Sequence, residues 1–358
     1  MLRGIIQGST KALGGSRFSL VGLLPAAFFV TFMITLIASG AYFRPKPSLT
    51  TSLDKFGKDP GLAVAVTLGI FLLAVLLRPF QVVIVQLLEG YWQRWRPLQL
   101  ANDMATERHR RIRDTAKIMS DARQPRQPPA VTFADAAYLA RQRHAFDRIL
   151  IRASATVDRY PLNTSADPAD DRLMPTLLGN ILRDGEDNAG RRYGLDMPVV
   201  YPRMYPSLSP KLDKAISAQL DMLDTTSALC VAFGLSALFS LPLIARLDWW
   251  SLVPAAAMLM SVFAYRGAIV TAQGHGILLA TAFDLHRFDM LQALHYELPL
   301  NPDDELALNG QLSAFLGTPH GADVQLYMRR FPYRHPPTVA DSVGRLAKPD
   351  RAARKRPL

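Results

Sequence analysis

Four stretches of the chain are nearly free of charge for long enough to matter in a bilayer, and the sequence between them is polar, mixed in charge or rich in proline. Residues 23–43 carry no charged side chain, and about 20 apolar residues suffice for a helix to cross a hydrocarbon core. A second run, 61–77, ends at Arg78-Pro79 and resumes as FQVVIVQLLEGYWQRW over 80–95. A third covers 225–245 and a fourth 249–265. The pattern predicts an all-α membrane protein with four transmembrane helices as two hairpins, a cytoplasmic helical domain and a helical stalk. The expected order is a cytoplasmic N-terminal segment (1–22), a first span (23–43), an external loop (44–60) and a second span (61–88). A cytoplasmic domain with a joint (89–208) follows. Then come stalk plus third span (209–245), fourth span plus stalk (249–296), a short helix (297–316) and a basic disordered tail (317–358).

Two places allow alternatives. At Arg78-Pro79 the helix either continues, with Arg78 reaching toward an interface, or kinks. In the kinked form 80–95 lies along the headgroups, with Tyr91, Trp92 and Trp95 as anchors, and proline chemistry favours this form. Near the start, Arg3, Lys11 and Arg17 make a basic segment before an apolar run that begins at Phe18. That run exceeds the roughly 7–15 residues of a signal-peptide core, so an uncleaved anchor is expected.

The middle of the chain changes character. Residues 98–160 read as two helices around the proline-rich break at 124–129, with Thr132 as N-cap of the second. Arg108, Arg110, Arg111 and Arg113 form the densest basic cluster, but Glu107 and Asp114 flank it. Alternating sign marks a solvated face, and nucleic acid is not an expected partner. Residues 173–206 are the joint. Pro175 opens a helix with Leu177, Leu178, Ile181 and Leu182 on one side, and Gly194 suits the left-handed position beyond its last turn. Prolines at 198, 202, 206 and 210 predict an extended arm over 198–206, with Val199, Val200, Tyr201 and Tyr205 along an apolar side. The candidate partner surface is Arg183, Asp184, Glu186, Asp187, Arg191, Arg192, Tyr193, Tyr201 and Arg203. The runs PTLLGNILRDGEDNAGRRYGLD, VVYPRMYP and LLEGYW resemble an uncharacterised family of bacterial multi-pass membrane proteins. The resemblance covers about the middle half of the chain and implies no activity and no site residues.

From Ser209-Pro210 a helical pattern runs unbroken to Ala245, some 54 Å at about 1.5 Å per residue, against a bilayer core of about 30 Å. Residues 210–224 therefore stand out as a stalk, with Leu212, Ile216, Leu220 and Leu223 as its apolar seam. The fourth run continues past Arg266 to about Leu294, and Ile277, Phe283, Phe288, Leu291 and Leu294 are expected to pack on the stalk. Small residues repeat every four positions in both helices: Ala228, Ala232, Ser236 and Ser240 in one, Ala264, Ala268, Ala272, Gly276 and Ala280 in the other. Such ladders predict a close pair.

Charge then sets orientation. The net charge is +11. Residues 89–225 hold 21 Lys/Arg against 18 Asp/Glu, and 317–358 hold 9 against 3. The basic tail is either attracted to anionic lipid headgroups or simply a solvated end. The positive-inside rule places both termini and the middle domain in the cytoplasm, with the protein in the inner or plasma membrane. Cys230 is the only cysteine, which excludes an internal disulfide and a thiolate metal cage.

Reactive constellations are weak. Ser52 and Lys55 have the spacing of a nucleophile pair without companion motifs. His275, His286 and Asp289 share a helix face, but the two histidines are about 16 Å apart along it. Asp184, Glu186 and Asp187 have oxygens suited to a divalent ion, yet Arg183, Arg191 and Arg192 are the expected partners. No phosphate-binding loop, dinucleotide fingerprint or nucleophile elbow occurs. No catalytic, cofactor-binding or metal residue is predicted. The expectation is a non-enzymatic membrane anchor or scaffold whose cytoplasmic helical domain docks a protein partner. The alternative is a homo-oligomeric ion channel or pore gated by the stalk.

Overall fold

The computed structural model describes residues 23–44, 47–48, 60–122, 132–161, 172–317 and 333–334. In chain order the helices are α1 (Leu23–Ala38), α2 (Pro60–Leu77), α3 (Gln81–Glu89), α4 (Gln99–Ser120), α5 (Phe133–Val157), α6 (Leu177–Arg191), α7 (Met197–Met204), α8 (Pro210–Ser240), α9 (Val253–Ala293) and α10 (Pro302–Gly317). No strand occurs among the described residues, and one isolated bridge pairs Tyr296 with Tyr333. The chain divides into two units. The first holds the described residues up to Gly190 together with Leu208–Phe283, and the second holds Arg191–Ser207 and those from Asp284 onward.

Three helical stretches are long and apolar enough to cross a membrane: Ala63–Glu89, Pro210–Arg246 and Trp249–Ala293. α1 is apolar but shorter, at 16 residues. These helices turn large side chains such as Val64, Leu68, Phe71, Phe239, Leu259 and Phe263 outward, the arrangement that suits lipid as solvent. The protein is a membrane protein on these grounds.

In the first unit α1 packs on both α2 and α8. Phe28 meets Phe233 edge-to-face at 4.5 Å. At one end of this bundle Leu36, Ala41, Leu243 and Trp250 form a buried cluster. The Arg246 guanidinium donates to the carbonyls of Ala41 (3.1 Å) and Arg44 (2.9 Å) and pairs with Asp248. The chain leaving α1 and the turn between α8 and α9 therefore sit side by side.

Prolines modify the long runs. The second run is interrupted by a 3₁₀ turn at Arg78–Phe80, because Pro79 has no N–H to return to the preceding turn. α3 nevertheless stays packed on α8 and ends at Gly90, whose φ is +97°. The helix expected to run unbroken to Ala245 ends instead at Ser240. Leu241–Arg246 tightens to 3₁₀ geometry around Pro242. Outside the spans, α4 and α5 form an antiparallel pair. Thr132 and Asp135 make a reciprocal capping box at the start of α5.

The second unit corrects the extended arm. Residues 198–206 are not extended: α7 and a 3₁₀ turn at Tyr205–Ser207 occupy them. Pro198 falls in the first turn, where its missing N–H removes no helical bond, and the N–H groups of Val199 and Val200 both reach the Asp196 carbonyl. Met197, Val200, Tyr201 and Met204 are buried at helical spacing, which outweighs the one bond lost at Pro202. α10 holds the turn before α7. Asn309 donates to the Tyr193 carbonyl, and Ser313 donates to the Gly194 carbonyl and accepts from the Asp196 N–H. Gly194 has φ +73°, with the α10 backbone close behind it.

Candidate functional site

The joint is built on α6. Thr176 stands just before the helix; its hydroxyl donates to the Glu89 carbonyl at the end of α3 and accepts from the Gly179 N–H. Asn180 is fully buried and bonds the backbone of Met174 in both directions. Side-chain atoms are excluded where α6 meets α3, since a Cβ on Gly179 would lie 2.0 Å from the Glu89 carbonyl oxygen. Farther along, α6 presents Leu178 and Ile181 to Leu223 of α8 and to Ala268, Ile269 and Ala272 of α9. A Cβ on Gly185 would lie 2.8 Å from the Cα of Gly276 in α9. α6 is thus a strut wedged between α3, α8 and α9 by backbone contact.

Of the residues expected to form one partner surface, Arg183, Asp184, Glu186 and Asp187 belong to the first unit. Asp187 pairs with Arg172 at 2.6 Å. Asp184 accepts from Asn188 at 2.6 Å. Burial raises its carboxyl to about 7; the Asn188 bond opposes this, and the charges of Asp187 and Asp158 add to it. Arg183 reaches the Met174 sulfur, and Glu186 lies on the same helix. Arg191, Arg192, Tyr193, Tyr201 and Arg203 belong to the second unit. Tyr193 donates to Asp284 at 2.6 Å and lies under the Arg287 guanidinium, which pairs with Glu305 at 2.7 Å. Tyr201 is buried, and Arg203 donates to the Val199 carbonyl of its own helix. Tyr193 is partly exposed and Tyr201 is buried, and both belong to the second unit.

The small-residue ladders do not face each other. α8 meets α9 through Gln219, Thr226, Cys230 and Gly234, opposite Thr271, Gly267 and Ser261. Ala228 and Ala232 lie two residues either side of Cys230, about 200° around the helix. They line an apolar cavity of about 280 Å³ with Ala26 and Phe29 of α1 and Leu73 and Ala74 of α2. Ser236 and Ser240 are buried and bond back to carbonyls of α8. On α9, Ala268 and Ala272 share a buried cluster with Leu178 and Ile181 of α6 and Leu223 of α8, Gly276 approaches Gly185 of α6, and Ala264 is half-buried. A four-residue repeat identifies a face that packs closely but not the helix it packs against.

Of the other candidates, His286 bonds Asp289 at 2.8 Å within the second unit, and His275 belongs to the first. No group of three or more His, Cys, Asp or Glu converges among the described residues. Ser52, Lys55 and nearly all of the basic tail lie outside the described residues. In the arginine cluster, Arg110 and Arg111 pair with Glu107, and Arg113 pairs with Asp114.

Two features of the hairpin carry chemistry. The first is a cavity of about 420 Å³ where α4 and the end of α5 meet the start of α6. Arg108, His109, Thr156, Arg159, Tyr160, Thr176 and Tyr265 contribute its polar lining. His109 Nδ1 and the Tyr160 hydroxyl are 2.9 Å apart. Burial first, and then Arg108, hold the His109 imidazole below its usual pKa. Burial raises the Tyr160 phenol, opposed by Arg159, Arg108 and Arg113. The second is an open, mainly apolar groove of about 490 Å³ between α4 and α5, floored by Ala116 and Ala153 and edged by Ile112, Met119 and Ile149. Elsewhere on the two helices Leu100 (74% exposed), Met104 (69%), Ile118 (73%) and Phe133 (91%) face outward. The sequence signal for the cavity was thin. His109 and Tyr160 are 51 positions apart, and only the hairpin register brings them together. Comparison with protein-family models, curated proteins and solved structures returned no match.

Proposed function

We propose that this chain is a non-enzymatic, multi-pass membrane anchor or scaffold whose α4–α5 hairpin docks a protein partner on the cytoplasmic side. The observation that carries the reading is the apolar surface of that hairpin. Leu100, Met104, Ile118 and Phe133 lie outside every candidate span yet stay exposed, on a hairpin that also carries a mainly apolar groove. Large exposed apolar patches of this kind mark interaction surfaces. In this reading α1 is a fourth crossing, giving two hairpins. Its packing on α2 and α8 supports that, as does the Arg246 clasp that sets its end beside the α8–α9 turn. Both of those connections then face the external side. The hairpin and both termini face the cytoplasm, and the basic tail meets anionic headgroups there.

The test begins with the mass and composition of the full-length complex extracted in a lipid-preserving polymer. A second polypeptide at fixed stoichiometry is expected, and Leu100→Ser with Met104→Ser and Ile118→Ser should release it. Retention of that polypeptide by the triple variant would reject the hairpin as the docking face. A closed ring of this chain alone, with conductance in planar bilayers, would replace the reading with the stalk-gated channel.

A further inference from the structure

The cavity at the base of the hairpin is lined by two arginines, a histidine, two tyrosines and two threonines, and by no carboxylate. Its walls are otherwise Ile112, Pro175 and Leu177. We propose that it binds a phosphate group, carried either by a lipid headgroup or by a soluble phosphate compound. This goes beyond the docking reading and stands independently of it.

Three observations support the assignment. The first is charge placement. Arg108 comes from α4 and Arg159 from just beyond α5, so the two guanidinium groups approach the mouth from separate elements. Neighbouring Arg110, Arg111 and Arg113 are engaged with Glu107 and Asp114, whereas no acidic side chain lines the cavity. Planar guanidinium forks are well matched to phosphate oxygens. The second is the interior. Tyr160 is only 4% exposed, and its hydroxyl is held against His109, so the polar wall is fixed before any ligand arrives. The Tyr265 hydroxyl is also placed, accepting from the Leu178 N–H at the start of α6. The third is position. Tyr265 belongs to the Trp249–Ala293 candidate span, and Pro175 and Leu177 give the α6 side of the cavity an apolar surface. A phosphate here has cationic partners on the hairpin and, from Pro175 and Leu177, an apolar wall on the α6 side, which suits a headgroup as well as a free phosphate ester.

The test uses the full-length protein in phosphatidylcholine nanodiscs. One arm titrates inorganic phosphate at constant ionic strength and reads the unfolding midpoint. The other adds phosphatidic acid to the nanodiscs and counts retained lipid by native mass spectrometry. The doubly substituted Arg108→Ala/Arg159→Ala is compared with Arg141→Ala/Arg143→Ala, which removes equal charge from exposed positions on α5 away from the cavity. Ile112→Trp fills the cavity without changing charge. In at least one arm, wild type and the α5 control should bind alike, while the cavity variants bind about tenfold more weakly or worse. Binding in the phosphate arm identifies a soluble ligand, and binding in the lipid arm alone identifies a headgroup. The proposal is overturned if neither probe distinguishes wild type from Arg108→Ala/Arg159→Ala. It is equally overturned if the α5 control loses as much, since the effect would then be diffuse attraction.

Discussion

Two amphipathic helices outside the apolar core of the bundle, α4 and α6, treat their apolar faces in opposite ways. α6 buries Leu178 and Ile181 against α8 and α9, and removes side chains at Gly179 and Gly185 so that backbones touch. α4 buries little beyond Asn102 and Ala116, and leaves Leu100, Met104 and Ile118 in the open. Charge pattern does not separate them, since both carry arginines and acids in mixed order. What separates them is glycine at the contact. A glycine-faced helix reaches close packing on its own chain, whereas α4 keeps long side chains and leaves much of its apolar surface exposed.

The sharpest way to break this contrast is to give α6 a side chain where it has none. Gly179→Ala should cost about 3 kcal/mol, because the new Cβ meets backbone at Glu89, which cannot rotate away. Thermal unfolding in detergent reads this, and an unchanged midpoint would show that α6 does not depend on backbone contact. Leu178→Ala, which opens a void in the same cluster, should cost about 2–4 kcal/mol by the same measurement.

Next in size is a pH effect confined to α6. The Asp184 carboxyl is raised from 3.8 to about 7 in the folded protein. The folded state therefore holds that proton more tightly than the unfolded state does. The resulting stability is fully present below pH 3.8 and is lost as pH rises through about 7. Asp184→Asn, which stays neutral, should match wild type near pH 4 and become progressively more stable than it toward pH 8. Taking the difference between the two proteins cancels His109, whose depressed pKa acts in the opposite direction. A difference that does not change with pH would show that Asp184 ionises freely.

The smallest effect is expected on α4. Leu100→Ser and Ile118→Ser should move the unfolding free energy by no more than about 0.5 kcal/mol, since both side chains are already exposed. A large loss would mean that this face is packed in the native protein, and the contrast between the helices would disappear.

Local chemistry was legible where a single residue type decides the outcome. Thr132 caps α5, Gly194 takes the left-handed position, and Leu177, Leu178, Ile181 and Leu182 share the packed side of α6. It misled where two local tendencies compete. Four prolines argued for an extended arm, but Pro198 at a helix start costs nothing, and burial of Val200, Tyr201 and Met204 carried the helix through Pro202. Partner choice was hidden altogether. Ala228 and Ala232 looked matched to Ala268 and Ala272, yet they line a cavity with α1 and α2, while the α9 alanines join a cluster with Leu178 and Ile181 of α6 and Leu223 of α8. The cavity was hidden for the same reason, because Arg108, Arg159 and Tyr265 meet only when the hairpin docks on α6.

The sequence by itself determined the solvent of each segment. Uncharged runs at bilayer length must be covered by hydrocarbon or protein, and helical periodicity with caps and breakers fixes where most helices begin and end. Only the tertiary structure decided which faces meet. A helix exposes several faces of similar chemistry, and the choice among them rests on backbone approach at a few glycines and on hydrogen bonds between residues far apart in the chain. Thr176 to the Glu89 carbonyl and Arg246 to the Ala41 carbonyl are two such bonds, and no periodicity encodes them.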